Sequence, residues 1–167
     1  VKNNFLVDMS LLEIGELNLK ARQNIFDVVK ISAALFSQIS SDYDLLPLGC
    51  SFSKEQGPKL VTRSGYSSSL SDFKNASIAS SGGISAESLM TILFGSKNYK
   101  RYSLARVPLA VAKGECDYGL IINESRLNLE NYGLKEVADL ARLWWKKNRL
   151  LAPLGCYVLH KRASMFK

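Results

Sequence analysis

The sequence lacks any apolar run of the roughly 18 residues that a membrane-spanning helix needs. Its first ten residues, VKNNFLVDMS, also lack the apolar stretch of a secretory signal peptide. From these two absences we expect a soluble, cytoplasmic chain without a membrane partner.

Cysteine and histidine are scarce. The three cysteines, Cys50, Cys116 and Cys156, show no paired spacing, so the sequence predicts neither a zinc site nor a disulfide framework. The single histidine, His160, stands at the end of a predicted strand, where an imidazole is usually a surface group. Thiol and imidazole side chains, which serve as nucleophiles, bases and metal ligands, are therefore few.

Positive charge is in excess but not concentrated. The most basic runs, at 97–101, 144–149 and 160–167, are short and separated, without a recognition-helix or ribonucleoprotein motif between them. We therefore expect no nucleic-acid partner. The net charge of +7 fits attraction for an anionic small molecule, and it fits a solvated basic face equally well.

Strand and helix patterns alternate along the chain. Hydrophobic residues make up 47% of the sequence and charged residues 22%, which is a globular composition. Apolar periodicity predicts strands at 27–32, 57–63, 76–80, 116–122 and 153–161, and helices at 10–22, 33–41, 86–95, 108–115 and 134–148. This alternation predicts an α/β fold with a mainly parallel sheet.

A serine-rich stretch at 64–72 divides the pattern into two parts. A chain of 167 residues is long enough for two small lobes that share a hinge. The predicted organisation is part of a first α/β lobe at 1–60, a hinge and loop at 61–75, a second α/β lobe at 76–158, and a return toward the first lobe at 159–167.

The turn SSGGIS joins a predicted strand to a predicted helix. Gly82 and Gly83 let the backbone approach a ligand closely, and Ser85 stands where a helix N-terminus offers free amide hydrogens to an anion. The alternative is that Ser85 only caps its own helix and the glycines only form the turn. The turn is neither a Walker loop nor a dinucleotide fingerprint, because the required lysine and third glycine are missing.

Four polar residues, at 123–126, follow the apolar strand 116–122 directly. In an open α/β sheet, ligands bind beyond the carboxyl ends of the strands, which makes these residues candidates for chemistry. The alternative is an ordinary strand end followed by a helix cap.

Five motifs occur in order along the chain: QGPKLV, SGGISA, GECDYGLIINESR, DLARLWWKK and PLGCYVL. Together they resemble the 1,4-dihydroxy-6-naphthoate synthase family of the futalosine route to menaquinone. The related chorismate dehydratase family matches less well around LWWKK. The resemblance implies a two-lobed, type II periplasmic-binding-protein-like architecture. It also implies a lyase that converts cyclic dehypoxanthine futalosine to 1,4-dihydroxy-6-naphthoate without metal or organic cofactor.

The resemblance further implies that the first lobe is incomplete. The family has an N-terminal strand with a Pro-Asn-Asp-Thr loop and a C-terminal helical section, and neither has a counterpart in this sequence. An incomplete lobe would expose apolar sheet surface, so we expect self-association through it.

The resemblance also identifies the expected contacts with a small-molecule substrate. In the family, a Lys-x-Ser run and a Thr-Thr pair contact the substrate. Lys30 and Ser32 match the first of these, and Ser85 and Ala86 stand in place of the two threonines. The full set of expected substrate contacts is Lys30, Ser32, Gln56, Gly57, Gly82, Gly83, Ser85, Ala86, Glu124 and Arg126.

Asn123 stands at the catalytic position, where the family has a histidine that removes a proton from the substrate. A carboxamide does not accept a proton near neutral pH, so the resemblance implies impaired activity. Glu124 is the adjacent carboxylate that would have to substitute for the base. A second hypothesis is a non-catalytic module that binds an aromatic carboxylate in the same cleft.

Overall fold

The structure, a computed structural model, describes residues 7–66, 73–122 and 124–166. Over these residues, nine strands form two sheets that are joined by five α-helices and short 3₁₀ turns. The strands are β1 Val28–Ser32, β2 Tyr43–Leu45, β3 Ser51–Ser53, β4 Lys59–Arg63, β5 Ile78–Ser80, β6 Tyr99–Arg101, β7 Tyr118–Ile121, β8 Leu134–Asp139 and β9 Ala152–His160. The helices are α1 Ile14–Arg22, α2 Phe36–Ile39, α3 Ile84–Phe94, α4 Arg106–Ala112 and α5 Leu140–Asn148. None of these helices is both long enough and apolar enough to cross a bilayer.

The first sheet is built around β9, which pairs antiparallel with β1, β2 and β3. Side chains alternate along β1, so Val29 and Ile31 are buried in a core that also contains Ala21 of α1. The same alternation puts Lys30 and Ser32 on the opposite face of the strand. This pair is therefore available to a cleft rather than to the core.

The second sheet has the order β6-β5-β7-β4-β8 and is mixed. β5 runs parallel to β6 and β7, whereas β4 runs antiparallel to β7 and β8. The prediction of a mainly parallel sheet is therefore wrong. Parallel neighbours need a long crossover connection, and the parallel strands here are those connected through α3 and α4. β4 enters the second sheet directly after β3 of the first sheet, and β9 enters the first sheet after β8 and α5 of the second.

Residues 134–148, predicted as one helix, form the strand β8 and then the helix α5. Asp139 ends the strand and caps the helix, because its side chain accepts a hydrogen bond from the Arg142 backbone amide at 3.0 Å. Pairing with β4 gives residues 134–139 a strand conformation that apolar spacing alone did not indicate.

Sheet membership also differs from the predicted boundaries at two places. β4, which overlaps the predicted hinge and loop at 61–75, is a buried strand of the second sheet. β9, most of which falls in the predicted second lobe at 76–158, is the centre of the first sheet. The chain therefore crosses between the sheets after β3 and again after α5, so that each sheet contains strands from distant parts of the sequence.

Candidate functional site

A cleft of about 360 Å³ is lined by strands of the first sheet on one side and, on the other, by the start of α3 and by residues that flank strands of the second sheet. Eight of the sequence-predicted substrate contacts line it, namely Lys30, Ser32, Gln56, Gly57, Gly83, Ser85, Ala86 and Arg126. Gly82 does not line this cleft, because it is turned toward α1, where a Cβ on Gly82 would lie 3.1 Å from the Cα of Gly15. Glu124 is exposed in a 3₁₀ turn and is also absent from the lining. Asn123 lies outside the described residues.

The first-sheet wall of the cleft carries a cation and a buried hydroxyl. Lys30 is exposed, with its Nζ 5.8 Å from the centre of the Tyr157 ring, a distance at which a cation–π attraction is felt. Ser32 is only 2% exposed and forms two hydrogen bonds with the side chain of Asn18. The strand alternation of β1 therefore places one exposed cation and one buried, hydrogen-bonded hydroxyl on the same wall.

The opposite wall is the turn before α3. Gly82 has a φ of +84°, a backbone conformation that side chains rarely adopt, and Gly83 lies at the N-cap of α3 without a side-chain cap. Ser85 does not cap its own helix. Its Oγ accepts a hydrogen bond from the Ala34 backbone amide at 3.2 Å, so this serine connects α3 to the segment that follows β1.

The segment 56–58 forms the third side of the cleft. Gln56 has a φ of +61°, which is strained for a residue with a side chain, and its carbonyl oxygen accepts a hydrogen bond from Arg126. Gly57 is required by packing, because a Cβ there would lie 2.4 Å from the Cβ of Ala141 in α5. Arg126 is thereby held at the cleft by the backbone of the segment that it faces.

Asp139, which the sequence analysis did not select, supports this segment from behind. Its Oδ2 accepts from the Gln56 backbone amide and from Lys59 Nζ, each at 2.8 Å. Burial by itself raises the pKa of Asp139, but the hydrogen bonds from Lys59 and from the backbone amides of Arg142 and Gln56 outweigh it and lower the pKa below its usual value. The carboxylate is therefore a charged anchor for the strained Gln56 backbone.

Glu87 supports the turn before α3 in a similar way and was also missed. Ser80 Oγ donates to Glu87 Oε1 at 2.5 Å and accepts from the Gly82 backbone amide at 3.2 Å. Arg101 binds the same carboxylate through both of its Nη groups. These partners come from separate elements, so no short motif indicates them.

Apolar side chains complete the walls. They are Leu12, Ile14, Leu17, Ile122 and Leu154. The first three belong to the region predicted as a helix, and apolar periodicity cannot distinguish a cleft wall from a core. No aspartate or glutamate occurs among the described residues that line the cleft, whereas Lys30 and Arg126 both do. The cleft is therefore suited to a ligand with an apolar body and an anionic group.

Comparison with known proteins gives consistent matches over most of the chain. A family model described as menaquinone biosynthesis matches residues 2–166. The 1,4-dihydroxy-6-naphthoate synthase of Streptomyces coelicolor is 27% identical over 93% of this chain and 56% of its own length. The protein of the same name from Thermus thermophilus is 29% identical over 90% of this chain and 54% of its own length. The chain thus spans about half the length of the curated relatives that it matches.

Solved structures agree on the fold. A protein of Archaeoglobus fulgidus is 29% identical to this chain, with a TM-score of 0.79 over 90% of this chain and 55% of its own. The alkanesulfonate-binding protein of Xanthomonas axonopodis is 17% identical, with a TM-score of 0.69 over 92% of this chain and 54% of its own. The expected periplasmic-binding-protein-like α/β fold is confirmed.

Proposed function

Because this chain belongs to the menaquinone biosynthesis family, we propose that its cleft binds cyclic dehypoxanthine futalosine and serves the lyase reaction that forms 1,4-dihydroxy-6-naphthoate. The product of that reaction is the compound for which both curated relatives are named. The futalosine substrate comes from the resemblance of the five motifs to the synthase family.

The meeting of Lys30, Ser32, Ser85 and Arg126 at one cleft is the observation that carries this proposal. A substrate of this class has a fused aromatic ring and a carboxylate. The ring would pack against the apolar walls, and the carboxylate would accept charge-assisted hydrogen bonds from the two cations and the hydroxyls. A cleft of about 360 Å³ is within the range of small-molecule sites.

Proton removal from the substrate is the step that this chain is least equipped to perform. Asn123 stands at the position of the family's base, and its carboxamide does not accept a proton near neutral pH. Glu124 is exposed and does not line the cleft, which argues against it as a substitute. We therefore expect substrate binding with slow turnover.

A second candidate function is binding of an aromatic carboxylate without catalysis. Two observations favour it. The cleft has hydrogen-bond donors that suit a carboxylate, and the described residues that line it include no carboxylate or imidazole that could act as a base. In this case the chain would retain recognition of the naphthoate and would have lost the chemistry.

Two measurements on the same protein separate these candidates. Fluorescence titration with 1,4-dihydroxy-6-naphthoate measures binding, and its formation from cyclic dehypoxanthine futalosine measures catalysis. If the chain is an impaired lyase, Asn123→His should raise turnover by about 10²–10⁴, while the control Asn123→Gln should not. Binding without turnover in all three proteins would favour the second candidate. Absence of saturable binding in the wild type would contradict both.

Self-association through the first sheet is a further part of this proposal. Val28 and Phe52 of that sheet are 51% and 58% exposed, so each offers apolar surface to a second copy. Sedimentation velocity over a range of concentrations tests it. Phe52→Lys should shift the protein toward the monomer, and a wild type that stays monomeric at high concentration would contradict self-association.

A further inference from the structure

Asn18 of α1 connects the two walls of the cleft. This residue is 2% exposed, and its side chain forms three hydrogen bonds. Its Oδ1 accepts from the Ser32 backbone amide at 2.9 Å, while its Nδ2 donates to Ser32 Oγ at 2.9 Å and to the Gly82 carbonyl at 3.0 Å. One asparagine thus contacts the end of β1 and the turn before α3.

The orientation of the Asn18 amide follows from its backbone partners. The Ser32 backbone N–H can only donate, so it must face Oδ1, and the Gly82 carbonyl can only accept, so it must face Nδ2. The group that faces Ser32 Oγ is therefore Nδ2, which is a donor. A hydroxyl that accepts a hydrogen bond in this way keeps its own proton for another acceptor.

The hydroxyl of Ser85, on the opposite wall, also accepts a hydrogen bond. Its Oγ accepts from the Ala34 backbone amide, which leaves its hydroxyl proton available to the cleft. Ser51 differs, because its hydroxyl donates to the Gly155 carbonyl at 3.4 Å and its proton is therefore engaged. The cleft thus has two serine hydroxyls prepared to donate and one that is not.

We propose that Asn18 is a positioning residue that keeps the Ser32 hydroxyl a hydrogen-bond donor toward the cleft, and that it thereby makes the site select a carboxylate over the matching carboxamide. This inference rests on the proposed function for the class of ligand. A carboxylate offers only acceptors, which complement donors on both walls, whereas a carboxamide also presents an N–H₂ group that needs an acceptor.

Asn18→Asp replaces the hydrogen-bond donor that faces Ser32 Oγ with an acceptor, with little change in the shape of the side chain. The new carboxylate can still accept from the Ser32 backbone amide, but its second oxygen is an acceptor that faces both Ser32 Oγ and the Gly82 carbonyl, so the hydrogen bond to Gly82 is lost. The Ser32 proton then turns toward residue 18, and the hydroxyl presents lone pairs to the cleft. The measurement is the ratio of the dissociation constants for 6-hydroxy-2-naphthoate and 6-hydroxy-2-naphthamide in the wild type and in Asn18→Asp.

We expect the ratio to shift toward the amide by about tenfold in Asn18→Asp, the usual effect of one hydrogen bond to a charged group. Because the ratio compares two ligands on one protein, a general loss of stability cancels. Ser88→Ala is the matched control and should leave the ratio unchanged, since Ser88 lies on α3 but does not line the cleft.

A double-mutant cycle with Ser32→Ala separates an effect through the Ser32 hydroxyl from direct repulsion between the new carboxylate at position 18 and the ligand carboxylate. If Asn18 acts through the Ser32 hydroxyl, Asn18→Asp should no longer shift the ratio in the Ser32→Ala background. A shift that persists there, or no shift in the single variant, would overturn the role of Asn18 while leaving naphthoate binding intact. A wild type that binds neither ligand would overturn the proposed function and this inference with it.

Discussion

Replacing Asp139 with asparagine tests how strongly one buried carboxylate organises the cleft. The side chain is fully buried and accepts three hydrogen bonds, from Gln56, Lys59 and Arg142. An asparagine can keep the contact with the Arg142 amide through its oxygen. Its Nδ2 then faces the Gln56 amide and Lys59 Nζ, which are both donors, so the Gln56 amide loses its acceptor and Lys59 loses its buried carboxylate partner.

The expected loss in the free energy of unfolding is about 3–5 kcal/mol, the usual effect of removing one partner from a buried ion pair. Lys59 has a second carboxylate neighbour, Glu136, at 3.1 Å, but that side chain is 39% exposed and does not reach the Gln56 amide in its place. Glu136→Gln is therefore the matched control, with an expected loss of about 0–1 kcal/mol.

Urea unfolding at neutral pH measures both variants, and naphthoate titration shows whether the strained Gln56 backbone keeps its position. If Asp139→Asn and Glu136→Gln differ by less than about 1 kcal/mol, the carboxylate does not anchor this segment and the reasoning fails.

The pH dependence provides a second check on Asp139. Burial raises the pKa of Asp139, but its hydrogen bonds lower the pKa by more, so the folded-state pKa lies below the ordinary 3.8. A lowered pKa means that this stabilisation is present above the ordinary value and is lost as the pH falls through the folded-state value. The stabilities of the wild type and Asp139→Asn should therefore converge in acid, and a constant difference down to the acid transition would contradict the assignment.

The remaining predictions concern packing and charge around the same cleft. Gly57→Ala should lower the free energy of unfolding by about 1–3 kcal/mol in urea, since its Cβ would overlap Ala141, and Ala141→Gly should restore most of the loss. Ser85→Asp should abolish naphthoate binding by placing a negative charge beside the expected carboxylate, whereas Ser88→Asp on the same helix should not; unchanged binding in Ser85→Asp would place the ligand elsewhere. Glu87→Gln should lower the free energy of unfolding by about 1–3 kcal/mol in a thermal melt, because its guanidinium partner loses a charged acceptor, and an unaltered melt would contradict that role.

Local sequence patterns were sufficient where the relevant residues are close in the chain. Lys30 and Ser32 are two positions apart on a strand, so alternation alone puts them on one face. The glycine turn and Ser85 were likewise predicted as one unit. The structure places Lys30 and Ser32, and also Gly83 and Ser85, at the same cleft. Their contact with a substrate stays a prediction.

Contacts between distant residues could not be predicted. Asn18 bonds to Ser32 and Gly82, which are 14 and 64 residues away. Within α1 it looks like an ordinary polar helix residue. The strand at 134–139 was missed for the same reason, because its conformation depends on pairing with β4 rather than on local propensity. The two anchoring carboxylates, Glu87 and Asp139, are defined by partners from separate elements.

The central place of β9 in the first sheet has a consequence for the order in which the molecule forms. β1, β2 and β3 leave the ribosome early, yet each of them pairs with a strand that is made after the whole second sheet. Ser51 and Gly155, for example, are hydrogen-bonded across a separation of 104 residues. Such non-local pairing makes the contact order of the first sheet high and its formation slow. Among the described strands, those of the second sheet are all made before β9, so β1, β2 and β3 lack their β9 partner until late in the synthesis of this segment.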